Sequence, residues 1–242
     1  MSSAADAGLG ALLARFDAPG TASAGLARYV DVLLAWPGNV TGMGTRDEVV
    51  GTLLGDSLAL LDVAALRARE GEPWVDLGAG AGIPGIPLAA VLPRAGVTLL
   101  ESASRKCAFL RAAVEAAGLA DRCPVTCARS ERYAASGAPG RDAFGVVLAR
   151  AVAPLPVLVE LASPLLATGG VLVASKTGRA LRDEGPAAGA AAALCGMEAR
   201  APQALPRSPL DDAVAAVFEK VAPTPDRLPR REGMAAKRPL GT

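Results

Sequence analysis

The chain contains no histidine. That excludes imidazole general bases, histidine triads and histidine metal sites. Aromatic residues fill only 3% of the 242 positions, so the core must be packed from Leu, Val and Ala. Neither sign of charge dominates: 25 Lys and Arg stand against 24 Asp and Glu, a net +1. No global field announces nucleic acid or a membrane surface, although local charge is left open. Apolar runs stop well short of the ~18 residues that cross a bilayer, so no membrane span is expected. The opening MSSAADAGLG lacks the basic start and apolar stretch of a signal peptide. Cysteine is scarce, and Cys107, Cys123, Cys127 and Cys195 form no paired CxxC sets. The Cys123 to Cys127 spacing is a weak metal hint, but within a strand the two read as small apolar side chains. No metal site is expected, and a reducing cytosol is the simplest setting.

What is present suffices for one sizeable core, since 51% of residues are hydrophobic. The first seventy residues read as a helical cap (1–70). A short helix is expected over 8–17, and a second over 22–36, ending at Trp36-Pro37-Gly38. Thr45 resembles an N-cap, with Asp47 and Glu48 in the favourable first turn. The helix it opens is expected to run to about Arg69, weakened at Gly51 and Gly55. From residue 74 the period changes. Apolar runs at 74–77, 97–100, 123–127, 144–148 and 171–174 alternate with helical patterns at 84–92, 103–117 and 154–167. Alternation of this kind predicts an α/β domain (71–221) with a parallel, Rossmann-like sheet. Residues 178–203 read as helix then strand, and 213–221 as one more strand.

The chemistry concentrates in WVDLGAGAGIPGIPLAAVLPRAGVTLLE, residues 74–101. It is a strand with one acid, Asp76, then a glycine loop, a helix and a second strand ending on Glu101. The glycines let backbone approach a ligand where a Cβ would clash. Two nucleotide readings fit. Gly80-x-Gly82-x-x-Gly85 matches the dinucleotide fingerprint, with Glu101 placed to accept from ribose hydroxyls. Asp76-x-Gly78-x-Gly80-x-Gly82 matches the loop used for S-adenosylmethionine (SAM). Pro84 and Pro87 fall where the helix begins. They remove N–H donors that a pyrophosphate needs, so they favour SAM.

Other candidates lie at the carboxyl ends of the later strands, where an α/β sheet places its ligand. Ser130 and Glu131 follow the third strand. Arg150 closes the fourth and is placed to pair with Asp76, Glu131 or a ligand carboxylate. Lys176 follows the fifth. The tail, 222–242, carries Arg227, Arg230, Arg231, Lys237 and Arg238 against Asp226 and Glu232. Its prolines and glycines predict irregular structure, and its charge leaves two readings, an idle terminus or a basic arm for phosphates.

DLGAGAGIPGIPLAAVLP (76–93), LLESASRKCAFLRAAVEAAGL (99–119), LARAVAPL (148–155), SKTGR (175–179) and PRREGMAAKRPL (229–240) together resemble the small-subunit ribosomal RNA guanine-N7 methyltransferases. That family is known as RsmG or glucose-inhibited division protein B. In the cap, Asn39-Val40-Thr41 and Gly55-Asp56-Ser57-Leu58 are similar to its Asn-Leu-Thr and Leu-Asp-Ser-Leu. The resemblance implies a class I SAM-dependent methyltransferase acting on N7 of a guanine in 16S rRNA. Carried over residue by residue, it implies SAM contacts at Gly78, Ile83, Ser130, Glu131 and Arg150, with Glu101 at the ribose; the glycine-loop reading adds Gly80. It implies RNA contacts from Lys176 and from the tail residues Arg230, Arg231, Lys237 and Arg238. No catalytic acid or base is implied. The expected partner is 16S rRNA or a small-subunit particle, met by a cytoplasmic monomer. The chain departs from the family where Gly51-Thr52 replace an Arg-His pair and where the segment after Trp36 is short. Other readings are a SAM methyltransferase with another substrate, a nicotinamide-dependent oxidoreductase and a non-catalytic RNA-binding relative.

Overall fold

The structure, a computed structural model, describes residues 4–38, 40–63, 66 and 69–242. Among the described residues, eight strands form one sheet: β1 (Pro73–Leu77), β2 (Gly96–Glu101), β3 (Val125–Cys127), β4 (Phe144–Arg150), β5 (Leu166–Thr177), β6 (Met197–Ala199), β7 (Gln203–Ala204) and β8 (Ala213–Lys220). The order is β3-β2-β1-β4-β5-β8-β6, with β7 pairing β8. The pairings among β1 to β5 are parallel, whereas β8 runs antiparallel against β5, β6 and β7. The alternating pattern foretold the parallel part. The reversed β8 carries no period that distinguishes it.

The chain winds from β1 outward to β3, then returns to the other side of β1 with β4. That reversal opens a crevice at the carboxyl ends of β1 and β4, the place where such sheets bind ligands. Gly78, Glu101, Cys127, Arg150 and Thr177 all lie at those ends.

The cap opens with helix Ala4–Arg15, which starts and ends earlier than the expected 8–17, and helix Ser23–Ala35, close to the expected 22–36. Thr45 caps the next helix through a reciprocal capping box with Glu48. That run passes through a π-helical stretch at Val49–Leu54 and ends at Asp62, with Val63 extended. It is shorter than expected. Gly51 falls in the widened stretch, and the helix continues past it. Residues 64, 65, 67 and 68 lie outside the described residues, as does Asn39.

Leu9, Phe16, Leu26, Leu54 and Leu58 from the cap share one continuous core with Trp74, Leu99, Val146 and Val173 from the sheet. The opposite face packs against the helices Leu155–Ala162 and Gly178–Leu194, with Phe144, Leu172 and Phe218. The cap is therefore built onto one face of the sheet, beside the crevice. Tyr29 is fully buried there and donates its hydroxyl to the Ala81 carbonyl at 2.8 Å, tying cap to glycine loop.

The tail is a correction. Leu228 is buried against the second core, and a short helix forms at Met234–Lys237. The prolines break long elements without preventing packing.

Two of the cysteines also depart from expectation. Cys107, on the helix Ser104–Ala117, and Cys127, on β3, form a disulfide with a Cα separation of 5.9 Å. Cys123 is buried and unbonded, and burial pushes its thiol up to about 11. The Cys123-x3-Cys127 spacing therefore brings together no ligand pair.

Candidate functional site

The glycine loop continues the sheet beyond β1. The N–H groups of Gly78 and Ala79 both donate to the Leu100 carbonyl, at 2.8 and 3.1 Å. Gly78, Gly80 and Gly82 all have positive φ, at 69°, 56° and 81°, which any side chain would resist. Their surroundings differ. A Cβ on Gly78 would meet the Val152 side chain at 2.9 Å. A Cβ on Gly80 would have only the Gly78 carbonyl, at 3.7 Å, and otherwise open space.

Asp76, next to last in β1, is 1% exposed. Its Oδ2 accepts the Gly85 N–H at 2.9 Å, and so caps the following helix from below. Burial pushes its carboxyl up to about 7. The charge of Glu101 adds to this, and the Gly85 bond and Arg150 oppose it. Its Oδ1 has no partner among the described residues.

These bonds decide which nucleotide the loop suits. At this helix start, Pro84 and Pro87 have no N–H to offer. Gly85 is taken by Asp76, and Ile86 donates to the Gly82 carbonyl at 2.7 Å. A pyrophosphate binds to bare N–H groups at a helix start, and the first turn here presents none. A sulfonium nucleoside asks for none. The residues present therefore fit SAM and not a dinucleotide.

Glu101 is 6% exposed. Its Oε2 accepts from Gly80 N at 3.1 Å, and its Oε1 accepts from Ser102 N and Ala103 N at 2.7 and 2.8 Å. Oε2 keeps accepting capacity for a further donor, whereas Oε1 is already filled by its two N–H groups.

Two cavities flank the loop and share Gly78. The first, about 190 Å³, is bordered by Leu100, Ser102, Ser130, Glu131 and Val152, and by Gly233, Ala235 and Ala236 from the tail. The second, about 200 Å³, lies toward the cap and is bordered by Thr41, Gly80, Ile83, Lys106 and Arg150. The sequence candidates thus divide, with Ser130 and Glu131 on one side and Gly80, Ile83 and Arg150 on the other. Glu101 lines neither cavity, but its neighbours Leu100 and Ser102 line the first.

Several candidates have other partners than expected. Arg150 pairs with Asp56, fully buried in the cap, at 2.6 Å, and not with Asp76 or Glu131. The Ser208 hydroxyl donates to the same carboxylate at 2.8 Å. Sequence reasoning did not assign Asp56 a partner. The available signal was an acid inside the apolar run LLGDSLALL, which has to be paired when buried. Glu131 accepts from Gly233 N at 2.9 Å and from the Ser130 hydroxyl at 3.2 Å.

Lys176 is a correction. It is no free phosphate contact, for its ammonium donates to Glu184 at 2.9 Å and to the Ala153 carbonyl at 3.0 Å. Glu184 also accepts from Leu155 N at 2.6 Å. The pair braces the loop after β4, where Ala151 takes a φ of 52° and Val152 reaches the first cavity. Arg230 is a second correction. Its guanidinium forks onto Glu160, itself 2% exposed, at 2.6 and 2.5 Å. Arg231, Lys237 and Arg238 are exposed and form no ion pair among the described residues.

No group of three or more His, Cys, Asp or Glu among the described residues could hold a metal ion. No helix among them is long and apolar enough to cross a membrane.

Comparison with known proteins places this geometry. The family described as "GidB: rRNA small subunit methyltransferase G" matches residues 23–207. The Ribosomal RNA small subunit methyltransferase G of Chloroflexus aggregans is 39% identical over 217 residues, covering 88% of each chain. That of Rubrobacter xylanophilus is 40% identical over 206 residues, covering 84% of this chain and 77% of its own. Among solved structures, a mutant of MtNAS in complex with S-adenosylmethionine superposes with a TM-score of 0.55 at 18% identity, covering 82% of this chain and 72% of that one. At that identity the likeness concerns the fold.

Proposed function

This chain belongs to the rRNA small subunit methyltransferase G family, and from that premise we propose that it transfers a methyl group from SAM to N7 of a guanine in 16S rRNA. The observation that carries the cofactor is the helix start after the glycine loop, whose N–H groups are absent or already bonded. We assign the nucleoside of SAM to the first cavity, against Gly78 and Ser130, with Glu101 at the ribose. The sulfonium end is assigned to the loop at Gly80 and Ile83, facing the second cavity, where the guanine enters beneath the cap.

When bound, SAM supplies an electrophilic methyl group. Guanine N7 has a free lone pair and no proton, so no base is required of the protein, in keeping with a chain without histidine. The protein's part is to orient two ligands and exclude water, and good orientation supplies on the order of 7–11 kcal/mol. Arg150, held by Asp56, fixes the wall between cap and sheet. The exposed Lys106 stands at the rim of the second cavity, where it can meet a phosphate. The base has to be unstacked to enter. In this reading residues 1–70 are the RNA-facing cap, 71–221 the methyltransferase domain and 222–242 a tail that serves both ligands. The setting is the cytoplasm, and the substrate is 16S rRNA or a small-subunit particle.

Titration calorimetry of the full chain with SAM, S-adenosylhomocysteine and NADH tests the cofactor assignment. Binding of the first two without the third supports it. Binding of NADH alone supports the oxidoreductase, and binding of none supports a non-catalytic relative.

A further inference from the structure

We propose that the C-terminal segment is a wall of the cofactor cavity, seated by the Arg230–Glu160 ion pair, and that Arg230 is therefore a positioning residue for the nucleoside. The proposal rests on the reading of the first cavity as the SAM site.

Attachments at Leu228, Arg230, Glu232 and Gly233 hold the segment in one place. Leu228 is buried in the core of the sheet's second face, and its carbonyl accepts from Arg141 at 3.0 Å. Two residues on, Arg230 forks onto Glu160, in the helix Leu155–Ala162. Its Nη2, which already donates to Glu160, also donates to the Arg238 carbonyl at 2.7 Å. Arg230 thus ties both ends of the segment 230–238 to one buried carboxylate. Glu232 meets Arg132 at 2.9 Å, and the Gly233 N–H reaches Glu131 at 2.9 Å.

Between these ties, Gly233, Ala235 and Ala236 border the cavity. Gly233 turns with a φ of 75°, which lets its N–H reach Glu131. The residues at the cavity are small, so the wall leaves room. Glu131 gains a different role from the one its position suggested. One oxygen receives the tail and the other the Ser130 hydroxyl, so it joins the segment to the strand end where a nucleoside would lie. Val157 and Leu161, on the same helix as Glu160, also border the cavity. The anchor and the wall it supports therefore share one helix.

Arg230→Met removes the fork while keeping much of the aliphatic stem. SAM and S-adenosylhomocysteine should each bind at least about tenfold more weakly, measured by calorimetry on the full chain where it is folded. The KM for SAM should rise with little change in kcat, because the anchor lies outside the reacting end. Arg230→Lys, which keeps the charge but not the fork, should recover part of the affinity. Ala236→Trp gives an independent reading: its side chain is exposed and borders the cavity, so an indole would occupy ligand space without breaking the anchor. It too should weaken SAM by about tenfold or more. The proposal is overturned if both Arg230→Met and Ala236→Trp bind SAM within about twofold of the unmodified chain. It is equally overturned if Arg230→Met lowers the unfolding midpoint but leaves SAM affinity and KM unmoved, and if that variant does not fold, Ala236→Trp alone decides. Failure of the unmodified chain to bind SAM would instead remove the assignment of the cavity, and the wall with it.

Discussion

Glu101 and Gly80 are bonded to each other across the loop: the Gly80 N–H donates to Oε2 of the carboxylate at 3.1 Å. The residue assigned to the ribose therefore also sets the shape of the glycine loop. Glu101→Ala removes both functions. SAM and S-adenosylhomocysteine, which share the ribose, should weaken equally, by roughly 1.5–3 kcal/mol for hydrogen bonds to a charged group. Glu101→Gln should not restore binding, because its amide oxygen can serve the Ser102 and Ala103 N–H groups only by turning its NH2 toward the Gly80 N–H. Calorimetry on the three proteins checks this, and a loss confined to one ligand contradicts the ribose assignment.

Gly78 and Gly80 should behave differently when given a methyl group. Gly78→Ala drives a Cβ toward Val152, at 2.9 Å, so it should lower folding stability as well as binding. Gly80→Ala meets open space and should lose on the order of 1–2 kcal/mol of stability from its positive φ alone. Its main effect should be on SAM, whose atoms are assigned to that space. Urea unfolding alongside calorimetry separates the two, and equal SAM affinity in Gly80→Ala and the unmodified chain would misplace the loop's ligand.

Asp76 should make stability fall as pH rises. Its carboxyl is pushed up to about 7 in the fold, chiefly by burial, against about 3.9 in an unfolded chain. The folded state holds the proton more tightly, so the stabilising contribution is complete below the unfolded value and is lost as pH climbs through the folded one. Within that window the slope approaches about 1.4 kcal/mol per pH unit. Asp76→Asn keeps an acceptor for Gly85 and does not titrate. Urea midpoints between about pH 5 and about pH 8 should therefore fall for the native chain relative to the variant. Parallel curves would show that Asp76 is ionised throughout.

The exposed tail cations should act on RNA. Arg230 is excluded from this group by its bond to Glu160. With Arg231, Lys237 and Arg238 all changed to Glu, RNA methylation should fall, and the salt dependence of RNA binding should become shallower by about 0.7 in log–log slope per lost single-strand phosphate contact. An unchanged salt slope and rate would make the tail's surface idle toward RNA.

The strand–glycine loop–helix–strand unit was legible because its signals are local: apolar runs of strand length, glycines at turns and an acid closing each strand. The Thr45 cap was legible for the same reason. What escaped depends on distant partners. Arg150 was visibly a cation at a strand end, but its partner Asp56 lies 94 residues earlier. Lys176 and Arg230 read as free charges because Glu184 sits on an Ala-rich helix whose face is poorly defined, and Glu160 is a lone acid in the apolar helix LPVLVELA with a partner 70 residues away. The tail looked irregular, and outside the short helix Met234–Lys237 it is, yet irregular backbone packs well when Leu228 and a forked arginine anchor it. The Cys107–Cys127 bond joins a helix to a strand, and no spacing rule reports it.

The central claim is the transfer of a methyl group to guanine N7 of small-subunit RNA. Its most direct test incubates the full chain and SAM with unmodified 16S rRNA, and separately with small-subunit particles. Strand cleavage specific for N7-methylguanine then maps the product. The account predicts SAM-dependent cleavage at a single guanine in at least one of the two substrates, and none when SAM is withheld. Methyl transfer to another atom or another RNA, or no transfer to either substrate by a chain that binds SAM, would contradict it.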